Sequence, residues 1–190
     1  MAKKDEKTNV MRTLEQKNVP YTAHGYPHED GAVDGVTVAG LIGRDPGQVF
    51  KTLVTRGASG GYYVFDIPVS DSLDLKKAAK AVGEKSIAMI KSAELLPLTG
   101  YIHGGCSPVG MKKPFPTVFD ETAELWDTIV AQNKQYRNKG KEPASASSPA
   151  AGALIFIVIS VFSHQNFSPS RCCNHLKVKG IVYNKPSTVR

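Results

Sequence analysis

The spacing of apolar residues divides the chain into short elements of two periods. Val10, Met11 and Leu14 recur at helical spacing from Thr8 to Asn18, and Pro20 stops the pattern. Tyr21–Tyr26 is short and bounded by aromatic residues, a strand by its composition. Val36–Ile42 reads as a helix capped by Asp34 and closed by Gly43, and Asp45-Pro46-Gly47 as one turn leading into a strand. Val49–Arg56 and Tyr62–Pro68 are rich in β-branched and aromatic residues, and Gly57–Gly61 between them predicts a hairpin. Leu73–Val82 places Leu75, Ala78, Ala79 and Val82 on one face and lysines on the other, with Asp74 as a cap and Gly83 as a stop. Short strands are expected at Ser86–Met89, Tyr101–His103 and Thr117–Phe119, and short helices at Ser92–Leu96 and Glu121–Asp127. Such irregular interleaving predicts an α/β fold on a mixed sheet instead of a doubly wound parallel one.

The pattern breaks after Val130. Residues 131–152 are basic and polar, then rich in Pro, Ala and Ser, the composition of a linker. Ala153–Phe162 follows as an apolar run of ten residues, half of what a helix needs to cross a bilayer. It is expected to be a buried strand or an exposed segment prone to aggregation. No periodicity is evident beyond it.

Charge sharpens this division. The 190 residues carry a formal +7, which by itself points to a nucleic-acid binder. Residues 1–130, however, hold 15 Lys and Arg against 16 Asp and Glu, whereas residues 131–190 hold 9 against 1. The excess belongs to the tail and says little about a ligand of the body. The N-terminus lacks the apolar stretch of a secretory signal. Cys106 stands alone and Cys172 and Cys173 are adjacent, so no disulfide framework is expected, and a reduced, cytoplasmic setting follows.

Three features could carry chemistry. Gly104-Gly105-Cys106-Ser107-Pro108-Val109-Gly110 follows a predicted strand; its glycines would let backbone N–H groups approach a ligand, or it is only a turn. It matches neither phosphate-loop nor dinucleotide spacing. Lys51 alternates with Val49 and Leu53, so it either snorkels at a sheet edge or points into a cleft. Cys106 with His103 nearby is a weaker case for a nucleophile, because no second group orients the histidine. Tyr26 lies between His24 and His28 as a core or rim aromatic, and the histidines have no zinc-like spacing, so no metal is expected. Lys76, Lys77, Lys80, Lys112 and Lys113 could meet phosphates or simply face solvent.

Four ordered segments, QVFKTLV at 48–54, DLKKAAKAVG at 74–83, TGYIHGGCSPVGMKK at 99–113 and PTVFDETA at 116–123, give the chain a specific resemblance. It resembles the YbaK family of Cys-tRNA(Pro) deacylases, relatives of the editing domain inserted in bacterial prolyl-tRNA synthetases, over residues 8 to 130. The resemblance implies a mixed, strongly curved sheet and hydrolysis of cysteine mischarged onto tRNA(Pro), in trans to the synthetase. It implies that Lys51 is the essential lysine, that Tyr26 is a pocket tyrosine, and that Gly104 and Gly105, with Cys106 and Ser107 beside them, lie against the aminoacyl group. No cofactor, metal or enzyme nucleophile is implied. The implied partners are tRNA(Pro) charged with cysteine and prolyl-tRNA synthetase, with no membrane. Other readings are deacylation of Ala-tRNA(Pro) or another aminoacyl-tRNA, and a non-catalytic tRNA- or synthetase-associated module.

The family continues past residue 130 with a glycine-rich turn, a strand of the type S-G-G-(K/R)-R-G-L-x-I-E-L and a final helix. Here the text departs, so 1–130 reads as an editing domain lacking its usual last strand and helix. Residues 131–190 read as an atypical tail, poorly ordered or arising from a change of frame or a fusion, and no site residue is assigned there.

Overall fold

The computed structural model describes residues 7–26, 34–133, 154–160 and 183–184. The first three residues of the expected linker, 131–133, belong to a strand, while the rest of it and most of the basic tail, with Cys172, Cys173 and His28, lie outside the described residues.

Helix α1 (Asn9–Gln16) begins where Thr8 offers its hydroxyl to the Met11 N–H, and it buries Val10 and Leu14. Strand β1 (Tyr21–Tyr26) follows, then α2 (Gly35–Leu41), capped by Asp34 as its sequence requires. Strands β2 (Val49–Gly57) and β3 (Tyr62–Pro68) form the antiparallel hairpin, Lys51 opposite Ile67 and Thr52 opposite Asp66. Helix α3 (Leu75–Val82) starts two residues later than its apolar pattern predicts. Leu73 instead follows Ser72 in the two-residue strand β4 (Ser72–Leu73), leaving Asp74 to cap the helix. Strand β5 (Ile87–Met89), helix α4 (Ser92–Thr99), strand β6 (Thr117–Phe119), a 3-10 turn at Glu121–Leu125 and strand β7 (Thr128–Asn133) complete the body. The strand expected at Tyr101–His103 is a single bridge at Tyr101 followed by a turn. Tyr101 is held by its tip, because its hydroxyl donates to the Val109 carbonyl at 2.6 Å.

Among the described residues the strands form one mixed sheet in the order β1, β8 (Leu154–Ser160), β7, β2, β3, β6, while β5 pairs with β2 off that path. The apolar run in the tail is thus a strand, antiparallel to β1 on one side and to β7 on the other. A boundary at residue 130 falls within β7. A second pair joins β4 to β9 (Tyr183–Asn184).

Alternation along β2 and β3 feeds both faces of the sheet. Val54 and Val64 pack with Val10, Leu14, Leu95, Tyr101 and Cys106 on one face. Leu53 and Phe65 pack with Ala78 and Ala79 of α3 on the other, where Val49 also meets Val38 and Ala39 of α2.

Candidate functional site

The site arises from a fork at β2. Strand β7 pairs with β2 only at Val49 and Phe50, and β5 only at Thr55, Arg56 and Gly57. Along that edge Lys51 to Val54 have no strand partner among the described residues, although the Val54 carbonyl accepts the Ile90 N–H at 3.2 Å. These four residues line a cleft of about 550 Å³ together with Asp34 and Gly35 of the α2 start, Val69, Met89 to Ser92, Leu95, His103, Gly104 and Cys106.

Lys51 is half-buried in this wall, and its Nζ donates to the Val69 carbonyl at 3.1 Å. Burial lowers its pKa, partly countered by the charge of Asp71. The two readings of Lys51 therefore merge, since the fork is a sheet edge and a cleft at once. Lys91 and His103 add polar, exposed side chains to the rim. Asp34 also lines it, with Oδ1 accepting the N–H groups of Val36 and Thr37 at 3.0 and 3.1 Å. Those bonds, the Thr37 hydroxyl foremost, lower its pKa and keep it a carboxylate.

The glycine loop forms the facing wall. Gly104 has φ +76°, a left-handed conformation that favours glycine, while a Cβ there would meet nothing within 4 Å. Gly35 is glycine for the opposite reason, because its Cβ would lie 2.4 Å from a methyl of Val69. The Gly105 N–H turns back to the Ile102 carbonyl at 3.2 Å, and Ser107 accepts the Val109 N–H at 3.3 Å. Gly105 and Ser107 are buried and are not among the residues lining the cleft. Cys106 does line it, but burial pushes its thiol up to about 12, with the Asp66 carboxyl adding to the effect. Such a thiol is almost wholly protonated at neutral pH and is a poor nucleophile.

Lys51, Gly104 and Cys106 therefore meet in one cleft. Tyr26 ends β1, and its side chain lies outside the described residues. No group of three or more His, Cys, Asp or Glu that could hold a metal occurs among the described residues. No helix among them is long and apolar enough to cross a membrane. Sequence reasoning did not mark Asp34, Thr52, Lys91 or Ser92 as lining residues. Asp34 had a signal as a helix cap, and Thr52 as the neighbour of Lys51; the placement of Lys91 and Ser92 depends on the β5 connection.

The cleft thus sets a half-buried lysine against a glycine loop at a break in a mixed sheet, and the comparisons with known proteins make its owner an aminoacyl-tRNA deacylase, a hydrolase of aminoacyl esters. The model of the aminoacyl-tRNA editing domain matches residues 31–136, and the chain belongs to that family. It is similar to the Enterococcus faecalis (strain ATCC 700802 / V583) protein named "Putative Cys-tRNA(Pro)/Cys-tRNA(Cys) deacylase EbsC". The two are 46% identical over 132 residues, covering 68% of this chain and 80% of that one. A crystal structure described as a "putative trans-editing enzyme for prolyl tRNA synthetase" shares the fold with TM-score 0.60 at 22% identity, over 91% of this chain and 94% of the other. The crystal structure of a hypothetical protein does so with TM-score 0.65 at 18% identity, over 92% and 99%. These likenesses agree with the mixed α/β fold expected from the sequence.

Proposed function

We propose that this chain removes cysteine mischarged onto tRNA(Pro), acting in trans to the synthetase, and that the substrate's own thiol is the nucleophile. The observation that carries the reading is Lys51, half-buried in the cleft wall and held by the Val69 carbonyl opposite a loop whose only thiol is protonated. The name of the E. faecalis relative, with its cysteinyl substrates, supports the same choice.

The chemistry follows from the contents of the cleft. A lysine with Lys91 nearby suits the phosphates of a tRNA 3′ end and can orient the ester. Substrate Sγ attacks the ester carbonyl carbon, the carbon–oxygen bond to the ribose breaks, and the thiol proton passes to the departing ribose oxygen. Water then opens the resulting thiolactone to free cysteine. Holding sulfur and carbonyl together makes the attack intramolecular, an advantage of up to about 7 to 11 kcal/mol. The backbone N–H of Gly104 can face the developing oxyanion. Cys106 and Tyr26 complete the proposed aminoacyl pocket, with Gly105 and Ser107 shaping the loop from behind it, and prolyl-tRNA synthetase is the proposed source of the mischarged tRNA.

The assay is release of amino acid from Cys-, Ala- and Pro-tRNA(Pro) by the full chain and by Lys51→Ala. Cysteine release by the wild type and none by the variant is expected. Wild-type turnover by Lys51→Ala would sink the assignment, and binding of tRNA without release from any substrate would favour a non-catalytic module.

A further inference from the structure

Asp66 does not line the cleft, yet it stands behind both of its walls. It is 1% exposed in the middle of β3. Toward β2, Thr52 donates its hydroxyl to Asp66 Oδ1 at 2.6 Å, and Thr52 is the cleft-lining residue next to Lys51. Toward the loop, Asp66 lies two residues along β3 from Val64 and so on the same face, where Val64 packs with Cys106, two residues from Gly104. Asp66 Oδ2 has no hydrogen-bond partner among the described residues. Burying a carboxyl with one bond is costly, and an apolar residue would fill a core strand position at less cost.

We propose that Asp66 is a positioning residue: bonded to Thr52 on the sheet face where Cys106 packs, it fixes the strand that carries Lys51 relative to the glycine loop, so its protonation state sets the spacing of the two walls. The inference rests on the deacylase reading above.

The groups around Asp66 leave it without a cation among the described residues. Strand β2 presents Thr52, while Lys51 belongs to the opposite face and bonds to the Val69 carbonyl. The loop presents Cys106, which packs against Leu95 of α4. Beyond β6, Asp120 donates its backbone N–H to the Asp66 carbonyl at 2.8 Å and turns its own Oδ1 to Thr122. Burial accordingly pushes the Asp66 carboxyl up to about 7, with only the Thr52 bond acting the other way. Near neutral pH a negative charge therefore appears or disappears between the two walls.

The test compares wild type, Asp66→Asn and Thr52→Val as full chains. Deacylation of Cys-tRNA(Pro) is corrected for uncatalysed hydrolysis, and the backbone amides of Thr52 and Gly104 are followed by NMR. The ratio of kcat/KM for Asp66→Asn over wild type is expected to rise about tenfold between about pH 6 and about pH 8, chiefly through kcat. Both wild-type amides should titrate with a common midpoint that Asp66→Asn lacks and that Thr52→Val moves upward. A ratio flat with pH, or amides that do not titrate together, overturns the proposal. If no substrate is deacylated by the wild type, the functional reading fails while the amide titration still decides the coupling.

Discussion

Replacing Asp66 with asparagine should stabilise this fold in alkaline solution and destabilise it in acid. The ordinary carboxyl value of 3.8 describes the unfolded chain, and burial raises it to about 7 in the folded one. Between those values the folded state holds the proton and the unfolded state has lost it, so stability falls as pH rises. Below the window both states are protonated, and above it both are ionised. The full loss across about three pH units is roughly 4 kcal/mol at 1.36 kcal/mol per unit, an order-of-magnitude figure. Asparagine does not ionise and escapes the loss, but its amide N–H groups would share Asp66's lack of partners and cost about 1 to 3 kcal/mol. The expected net gain at pH 8 is therefore about 1 to 3 kcal/mol. Urea unfolding of both chains can be followed through Trp126, the single tryptophan, which packs against the Phe50, Ala123 and Ile129 cluster. Subtracting wild type from variant at each pH removes the other carboxylates from the comparison. A difference that stays flat from about pH 5 to about pH 8 would refute the reasoning, since it would mean that Asp66 ionises as freely when folded as when unfolded.

Gly35→Ala should lower stability by about 1 to 3 kcal/mol in thermal melts, because the added methyl collides with Val69 at the start of α2. Cys106→Ser should keep most deacylase activity in the Cys-tRNA(Pro) assay, whereas an inactive variant would point to an enzyme nucleophile after all. Ile157→Pro should cost about 3 kcal/mol or more in urea unfolding, since Ile157 lies in β8 opposite both Ala23 and Ala131 and proline cannot complete an interior ladder.

Local signals carried most of the elements. The caps at Asp34 and Asp74 each open the helix their chemistry implies, and the glycine run between β2 and β3 closes the hairpin as expected. Leu73 and Tyr101 misled because their environment is set by distant chain. The former pairs with Tyr183, and the latter is buried by contacts from α1, β2 and β3 with only one bridge. The site was legible where a residue broke a pattern, as Lys51 does within an apolar strand. Asp66 breaks one too, between Phe65 and Ile67, but the continuous burial of β3 could be known only from the helices on both faces. The cleft itself was not legible. It exists because two strands divide one edge of β2, and pairing of that kind leaves no mark on local periodicity.

The seating of β8 has a consequence for how the molecule is made. Among the described residues strand β1 finds its sheet partner only in β8, more than 120 residues downstream, and β8 separates it from β7. On a ribosome adding about 5 to 20 residues per second, the nascent β1 waits several seconds before its ladder can close. During that interval β1 and the outer edge of β7 are both open to other chains. The vulnerable period of this protein is thus its own synthesis, and its length is set by the chain that must emerge between β1 and β8.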